Sequence, residues 1–295
     1  MTKSNTLSEI RKSIALHGVP KSTLKQDRRV VITSVGTERV TGQAERRFLE
    51  WREENGLALD GPYLRVEVVE FLQDYAELHE QSNLDATRIA LGRLLSMKLS
   101  PVASLIETVR QGRATRWDEV TAIAARQREH NALSTLIAND AGLRAIELFA
   151  LRRADEQTPS AHCNWPATMF LGRHDVVVMI VTGKGGLRRP IALARCLAEE
   201  LEKRRRPEPV IVVDRGVHYE SYYDIAGGQA FSQSFSDASQ RALGASTGAH
   251  GLRHAYAQRR VRELMALGYE FMAAIQLVSR ELGHFRPIFA YYQPR

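Results

Sequence analysis

The sequence is poor in cysteine and contains no long apolar run. Its 295 residues include two cysteines, Cys163 and Cys196. So few cysteines argue against a disulfide framework and against a cysteine-rich zinc site. No apolar segment approaches the length of a membrane span, and no N-terminal apolar run resembles a signal peptide. We therefore expect a cytoplasmic protein without a membrane partner.

The composition is otherwise that of a soluble globular protein. Hydrophobic residues make up 44% of the chain and charged residues 25%, and the length suffices for two domains with a substantial core. The net charge of +7 and the pI of about 9.6 favour a polyanionic partner, nucleic acid before membrane. Charge that serves only solubility would give the same balance, so charge alone does not decide.

The first forty residues form a basic segment. Residues 1–40 contain eight basic and three acidic residues, a net charge of +5. One interpretation is an arm that contacts DNA phosphates, with Arg28 and Arg29 as candidate contacts. The other is a solvated lead-in to the first domain, and both remain open here.

Residues 41–112 are predicted to form a helical domain. An apolar stripe over residues 63–79 indicates an amphipathic helix, flanked by helices at 44–55 and after residue 83. Arg88 and Arg93 are candidates for DNA phosphate contact, although lone arginines are equally typical of a solvated face. A linker near residues 111–115 separates this domain from a second one over residues 113–295.

The second domain contains the clearest strand in the chain. Residues 175–182 are apolar and β-branched, a glycine-rich turn follows, and residues 187–193 return as a second strand. Lys184 lies at the tip of this predicted hairpin. The Walker spacing of a phosphate loop is absent. We predict a further strand at 209–213, a loop at 216–228 and a helix at 232–243.

Five short motifs carry residues suited to phosphate chemistry. They are Gly142-Leu143-Arg144 with Glu147, Lys184 in the hairpin, His250-Gly251-Leu252-Arg253, Leu282-Gly283-His284, and the neighbouring tyrosines Tyr291 and Tyr292. A histidine and an arginine three residues apart share one face of a helix. An arginine–glutamate pair alone would be a surface ion pair of little consequence. Cations, imidazoles and a phenol brought together suit the attack of tyrosine on a phosphodiester.

In this order the motifs resemble those of the tyrosine recombinases, the phage integrase family, over about residues 118–292. The resemblance implies a mostly α-helical fold with a small antiparallel sheet, in which a helical core-binding domain and a catalytic domain clamp duplex DNA. It implies a site-specific recombinase or integrase that works through a 3′-phosphotyrosine intermediate, in the integration or excision of a mobile element. Four protomers would hold two DNA sites, with room for an accessory directionality factor and with no metal or cofactor.

The resemblance also assigns roles to individual residues. Arg144 and Arg253 would clamp the phosphate, since arginine stays charged and matches two phosphate oxygens. His250 would act as general acid and base, Lys184 would protonate the leaving 5′ oxygen, and His284 would hydrogen-bond the phosphate. Glu147 would orient these groups.

The nucleophile is predicted from spacing. The family's tyrosine usually lies nine residues after the histidine of Leu-Gly-His, a position that Gln293 occupies here. Tyr292 lies one residue short of it and is the predicted nucleophile, with Tyr291 as the alternative.

Two other functions remain open. A DNA-binding protein of the same fold that does not cut could act in regulation or architecture. A topoisomerase of the related tyrosine type would relax supercoils as a monomer. The complete set of catalytic residues favours the recombinase.

Overall fold

The computed structural model describes residues 6–17, 30–106 and 112–292. Arg28 and Arg29 lie outside these residues, as do the side chains of Lys184, Ala290 and Tyr292. The chain divides into two compact units, Met1–Arg110 and Gln111–Arg295. No helix within the described ranges is both long and apolar enough to cross a bilayer.

The regular secondary structure described in the first unit is helical, apart from one β-bridge between Ala15 and Ile32. Its helices are α1 (Leu7–Ser13), α2 (Val35–Glu54), α3 (Arg65–Leu78) and α4 (Gln81–Leu94). Helix α2 begins nine residues before the predicted start at Ala44, because the Ser34 hydroxyl accepts a hydrogen bond from the Thr37 amide at 3.2 Å and caps the helix. The helix therefore continues through residue 40, where the basic segment was predicted to end.

A buried arginine lies in the core of this unit. Phe48, Leu72 and Leu91 are fully buried where the helices pack together. Arg52 is buried beside them, and its Nε donates to the carbonyl of Ala58 at 2.9 Å while Nη1 pairs with Glu67. A carbonyl and a carboxylate thus satisfy this guanidinium group inside the fold.

The second unit combines helices with two small antiparallel sheets. Its helices are α5 (Trp117–Ala124), α6 (Glu129–Ala141), α7 (Arg195–Glu202), α8 (Gly228–Leu243), α9 (His250–Ala266) and α10 (Phe271–Glu281), with 3₁₀ turns at Ala145–Ala150, Lys184–Gly186 and Phe289–Tyr292. The strands are β1 (Leu151–Arg153), β2 (Val176–Thr182), β3 (Arg188–Ala194), β4 (Arg205–Asp214) and β5 (Val217–Tyr223). The prediction of a mostly α-helical fold with little sheet is confirmed.

The first sheet has the order β1-β2-β3. Its β2–β3 hairpin confirms the predicted one, and Val181 of β2 lies opposite both Leu151 and Arg189. Val181 and Leu151 are fully buried in a core shared with α5, α6 and α8. Arg189, which lies opposite Val181, therefore points its side chain into the protein.

The second sheet contradicts the predicted loop at 216–228. Strands β4 and β5 pair around the turn Arg215-Gly216, where both residues have positive φ angles of 51° and 78°. Such a two-residue turn matches the twist of a β-hairpin. The sequence missed β5 because its more buried positions, Val217, Tyr219, Ser221 and Tyr223, include a serine, and the intervening positions include Tyr222. No clear apolar period of two is therefore visible in this segment.

Candidate active site

Arg144 and Glu147 meet where α6 ends. The helix stops at Gly142 with a φ of 64°, and a Cβ there would lie 2.7 Å from Cδ1 of Tyr256. Only glycine fits this close approach. Arg144 follows as the cap of the 3₁₀ turn, and its amide donates to Oε2 of Glu147 at 2.9 Å while Nη1 donates to Oε1 at 2.6 Å. The predicted pair is thus a bidentate contact that starts from a fixed corner.

Three arginines lie around the carboxylate of Glu147. It is fully buried, and besides Arg144 it accepts a bond from Nη2 of Arg189 at 2.8 Å and lies 3.7 Å from Nη1 of Arg253. Burial alone would raise the pKa of this carboxyl, but the charges of Arg189, Arg253 and Arg144 outweigh it and lower the pKa to about 2. Glu147 is therefore ionised at neutral pH, and it orients both arginines that the sequence assigned to the phosphate clamp.

Arg253 is held from several sides. It lies fully buried in the first turn of α9, and it donates to the carbonyls of Gly142 and Leu282. Its Nε donates to the phenol oxygen of Tyr291 at 3.3 Å. Burial lowers the pKa of this guanidinium to about 10, so it remains charged at neutral pH.

His284 follows the end of α10. Gly283 turns the chain with a φ of 75°, and the His284 amide donates to the Ser279 carbonyl at 2.7 Å. Its Nε2 accepts bonds from Nη2 of Arg144 at 3.2 Å and from Nη2 of Arg253 at 3.4 Å. Since guanidinium groups only donate, the ring proton lies on Nδ1. Burial and then the nearby arginine charges lower the pKa of His284 to about 4.

Two more histidines lie at the start of α9. The centres of the His250 and His254 rings are 5.2 Å apart, and they lie 5.7 Å and 4.7 Å from the ring of Tyr291. Burial is the main cause that lowers the pKa of each imidazole to about 4. Both imidazoles are therefore neutral near pH 7. The sequence assigned a role only to His250.

Tyr291 lies among these groups. Its side chain is buried, its oxygen accepts the bond from Arg253, and its ring centre lies 5.9 Å from that of His284. The side chain of Tyr292, the nucleophile predicted from spacing, is outside the described part of the chain, so that prediction stays a prediction.

The backbone next to Lys184 lies close to Glu147. Gly183, the residue before it, packs so close to Glu147 that a Cβ would lie 2.9 Å from Oε1. The turn at the tip of the hairpin thus begins beside the Glu147 carboxylate, and the position of the lysine amine stays a prediction.

Sequence reasoning missed Arg189. It is 1% exposed and bonds both Glu147 and, through Nη1, the carbonyl of Glu281 at 2.7 Å. The alternation along the predicted strand 187–193 places position 189 on the inward face. An arginine on that face needs a buried partner, and this was the available signal.

The predicted DNA contacts of the first unit stay untested. Arg88 donates to Asp85 at 2.9 Å and to the Leu99 carbonyl at 3.0 Å, and burial lowers the pKa of Arg93. The described residues contain no cluster of three or more side chains suited to holding a metal ion.

Comparison with solved structures identifies the fold. The chain resembles a lambda integrase tetramer bound to a Holliday junction, with a TM-score of 0.57 and 15% identity over 100% of this chain and 78% of that one. It resembles a lambda integrase (75-356) dimer bound to a COC′ core site, with a TM-score of 0.56 and 16% identity over 88% and 89% of the two chains. It resembles the XerH site-specific recombinase bound to palindromic difH substrate in a post-cleavage complex, with a TM-score of 0.55 and 16% identity over 88% and 75%. No family model and no curated protein matches the sequence. The chain therefore has the tyrosine-recombinase fold.

Proposed function

We propose that this protein cuts and rejoins DNA strands at specific sites through a covalent 3′-phosphotyrosine intermediate. One observation carries the proposal: a single buried carboxylate, Glu147, orients Arg144 and Arg253 beside a tyrosine and three neutral imidazoles. Guanidinium groups fixed in advance stabilise the charge that spreads over a phosphodiester in its transition state. A DNA-binding protein that does not cut has no need of this arrangement.

The reaction follows from these groups. The tyrosine oxygen forms a bond to the phosphorus while the bond from phosphorus to the 5′ oxygen breaks. His250, unprotonated near neutral pH, accepts the phenol proton, and Lys184 supplies a proton to the leaving 5′ oxygen. Arg144, Arg253 and His284 hold the phosphate oxygens. A 5′-hydroxyl then attacks the phosphotyrosine bond and reverses the steps, so no external energy source is needed.

Either of two adjacent tyrosines is the nucleophile. The contact between Tyr291 and Arg253 supports Tyr291, because the attacking oxygen then starts beside the phosphate clamp. The spacing from His284 supports Tyr292. We assign the reaction to Tyr291 and keep Tyr292 as the alternative that adduct mapping decides.

The partner in this proposal is duplex DNA. The lambda integrase and XerH structures contain DNA sites or a junction, and one of them is a tetramer. By analogy, four protomers would hold two sites, with Arg88, Arg93, Arg28 and Arg29 among the phosphate contacts, in the integration or excision of a mobile element. The basic balance of the chain supports a DNA partner.

The test is covalent capture. Denaturing the cells in which the protein acts should trap protein–DNA adducts, and sequencing the attached DNA should reveal one recurrent cut site. A nicked duplex built on that site should accumulate the adduct, and peptide mapping should identify the modified tyrosine. Recovery of specific DNA with no covalent adduct would favour the non-cutting protein, and relaxation of supercoils from a single site would favour the topoisomerase.

A further inference from the structure

Arg189 makes contacts unlike those of the phosphate clamp. Arg144 keeps a quarter of its side chain exposed, whereas Arg189 is 1% exposed. Nη2 of Arg189 donates to Glu147 at 2.8 Å and Nη1 donates to the Glu281 carbonyl at 2.7 Å. Arg253 is equally buried, but it contacts the phenol of Tyr291 and the imidazole of His284, whereas the hydrogen bonds described for Arg189 go to Glu147 and the Glu281 carbonyl. Any part it takes in the reaction must act through its neighbours.

Those neighbours are the two structures that position the reacting groups. Glu147 orients Arg144 and Arg253. Glu281 closes α10, and its carbonyl lies three residues before His284. One side chain on β3 therefore joins the carboxylate of the clamp to the helix end that presents the histidine.

The turn that carries His284 rests on Arg189. A Cβ on Gly283 would lie 2.9 Å from Cδ of Arg189, so the stem of the arginine fills the space beneath this glycine. Losing the stem would leave a cavity under the turn, and losing the guanidinium would remove a donor from Glu147. Either change would therefore disturb the position of Glu147 or of His284.

We propose that Arg189 is a positioning residue for phosphoryl transfer, fixing the Glu147 carboxylate and the His284 turn in one geometry. The inference rests on the proposed function and adds to it a residue outside the five motifs. We expect its loss to lower the rate of the covalent step at saturating DNA and to leave DNA affinity nearly unchanged. A displacement of the order of 1 Å in a reacting group costs about 100-fold in rate.

The first experiment measures adduct formation on the nicked duplex at saturating concentration. Arg189→Met should slow the covalent step about 100-fold, with DNA affinity within about threefold of wild type. Arg189→Lys keeps the charge but cannot reach both acceptors as the guanidinium does, so it should recover only part of the rate. Arg52→Met is the matched control, since Arg52 also joins a carboxylate to a carbonyl inside the fold, in the other unit. It should lower the melting temperature and leave the saturated rate unchanged.

The second experiment needs no DNA. The imidazole of His284 is titrated by NMR in the free protein, with His130 as the reference. Arg189→Met should raise the pKa of His284, because a nearby positive charge is lost and the turn shifts, whereas Arg189→Lys should leave that pKa near the wild-type value. The lysine variant would then separate charge, which it keeps, from geometry, which it loses.

The outcomes separate the two proposals. If wild type forms no adduct with the captured DNA, the proposed function fails, and the His284 titration alone judges the positioning role. An Arg189→Met protein that forms adduct within threefold of the wild-type rate overturns the inference. So does an Arg189→Met rate loss no larger than that of Arg52→Met after correction for folded fraction, or a His284 pKa that is the same in Arg189→Met as in wild type.

Discussion

Two buried glutamates in the second unit hold arginines, and they differ in charge balance and in access. Glu281 accepts bonds from Nη2 of Arg260 at 2.9 Å and from the Tyr256 hydroxyl at 2.7 Å, and Arg260 also pairs with Glu263 at 2.6 Å. Glu263 also lies 3.7 Å from Arg259, so two carboxylates face two guanidinium groups there. Around Glu147, three guanidinium groups share one carboxylate, which among the described residues is the only one they contact.

The difference lies in how much positive charge each network leaves unpaired. A balanced, closed network such as that of Glu281 has no remaining demand for an anion. The network of Glu147 carries an excess of two positive charges, and Arg144 and His284 lie at its partly open side. In the proposed function, a phosphodiester would supply the missing negative charge and complete the network.

The tyrosines of the two networks give the sharpest contrast. Tyr291→Phe should abolish the covalent adduct and leave the melting temperature nearly unchanged, because its hydroxyl is the proposed attacking group. Tyr256→Phe should still form the adduct but lose about 1–2 kcal/mol of stability, because buried Glu281 loses a donor. Adduct yield on denaturing gels and thermal unfolding measure both effects. Tyr292→Phe is measured alongside, and loss of the adduct in that variant alone would transfer the nucleophile to Tyr292.

The arginines of the two networks should give the second-largest difference in rate. Arg144→Lys and Arg253→Lys keep the charge and lose the planar fork, so we expect the covalent step to slow by roughly 10²–10³-fold. Arg260→Lys should lower the melting temperature and change the saturated rate by less than about threefold, since it pairs with the side chains of Glu281 and Glu263, whereas Arg189 contacts the backbone carbonyl of Glu281. Single-turnover kinetics on the nicked duplex measure the rates. Equal rate losses at Arg144 and Arg260 would contradict the distinction between the two networks.

Acid should weaken the Glu147 network in a defined pH range. The folded-state pKa of about 2 lies below the ordinary 4.5, so this carboxylate adds stability above pH 4.5 that is lost as the pH falls towards 2. From pH 6 to pH 3 the stability advantage of wild type over Glu147→Gln should shrink by about 2 kcal/mol. Urea unfolding at the two pH values measures it. The three histidines, with pKa values lowered to about 4, lose their contribution between pH 6.5 and 4 in both proteins and largely cancel.

Salt dependence should show the smallest contrast. Arg144→Met removes one contact with a phosphate, so the slope of log affinity against log salt should become less negative by about 0.9. Arg260→Met should leave the slope unchanged, because its guanidinium is buried and paired. Fluorescence anisotropy at several salt concentrations gives both slopes. An unchanged slope for Arg144→Met would place that side chain away from the DNA backbone.

The sequence predicted the elements of the fold better than their ends. Apolar periodicity located the β2–β3 hairpin and most helices, since a period of two or 3.6 is visible in a single chain. Helix α2 starts earlier than predicted, because the Ser34 hydroxyl caps it at a point where the apolar pattern of residues 35–43 is weak. Strand β5 was missed because its alternation consists of tyrosines and polar residues on a half-exposed sheet.

For the site, the motifs located the residues but not their connections. Order and spacing brought Arg144, Glu147, Arg253 and His284 into one hypothesis, and the structure places them in contact. Arg189 and the contact between His254 and Tyr291 depend on which strand and helix pack together, and that information lies in the tertiary structure. A one-residue difference between two adjacent tyrosines is likewise beyond spacing alone.

Gly142 bears on how this sequence can diverge. Its φ is positive, a Cβ would collide with Tyr256 and Leu282, and its carbonyl receives a bond from Arg253. Most core positions can exchange one apolar side chain for another over evolutionary time, as 15–16% identity within a shared fold illustrates. Position 142 has no such freedom, because three helices meet around its bare backbone. Distant homologues should therefore retain this glycine after their surrounding sequence has drifted beyond detection, and a search anchored on it and on Arg144 should find relatives that whole-chain comparison misses.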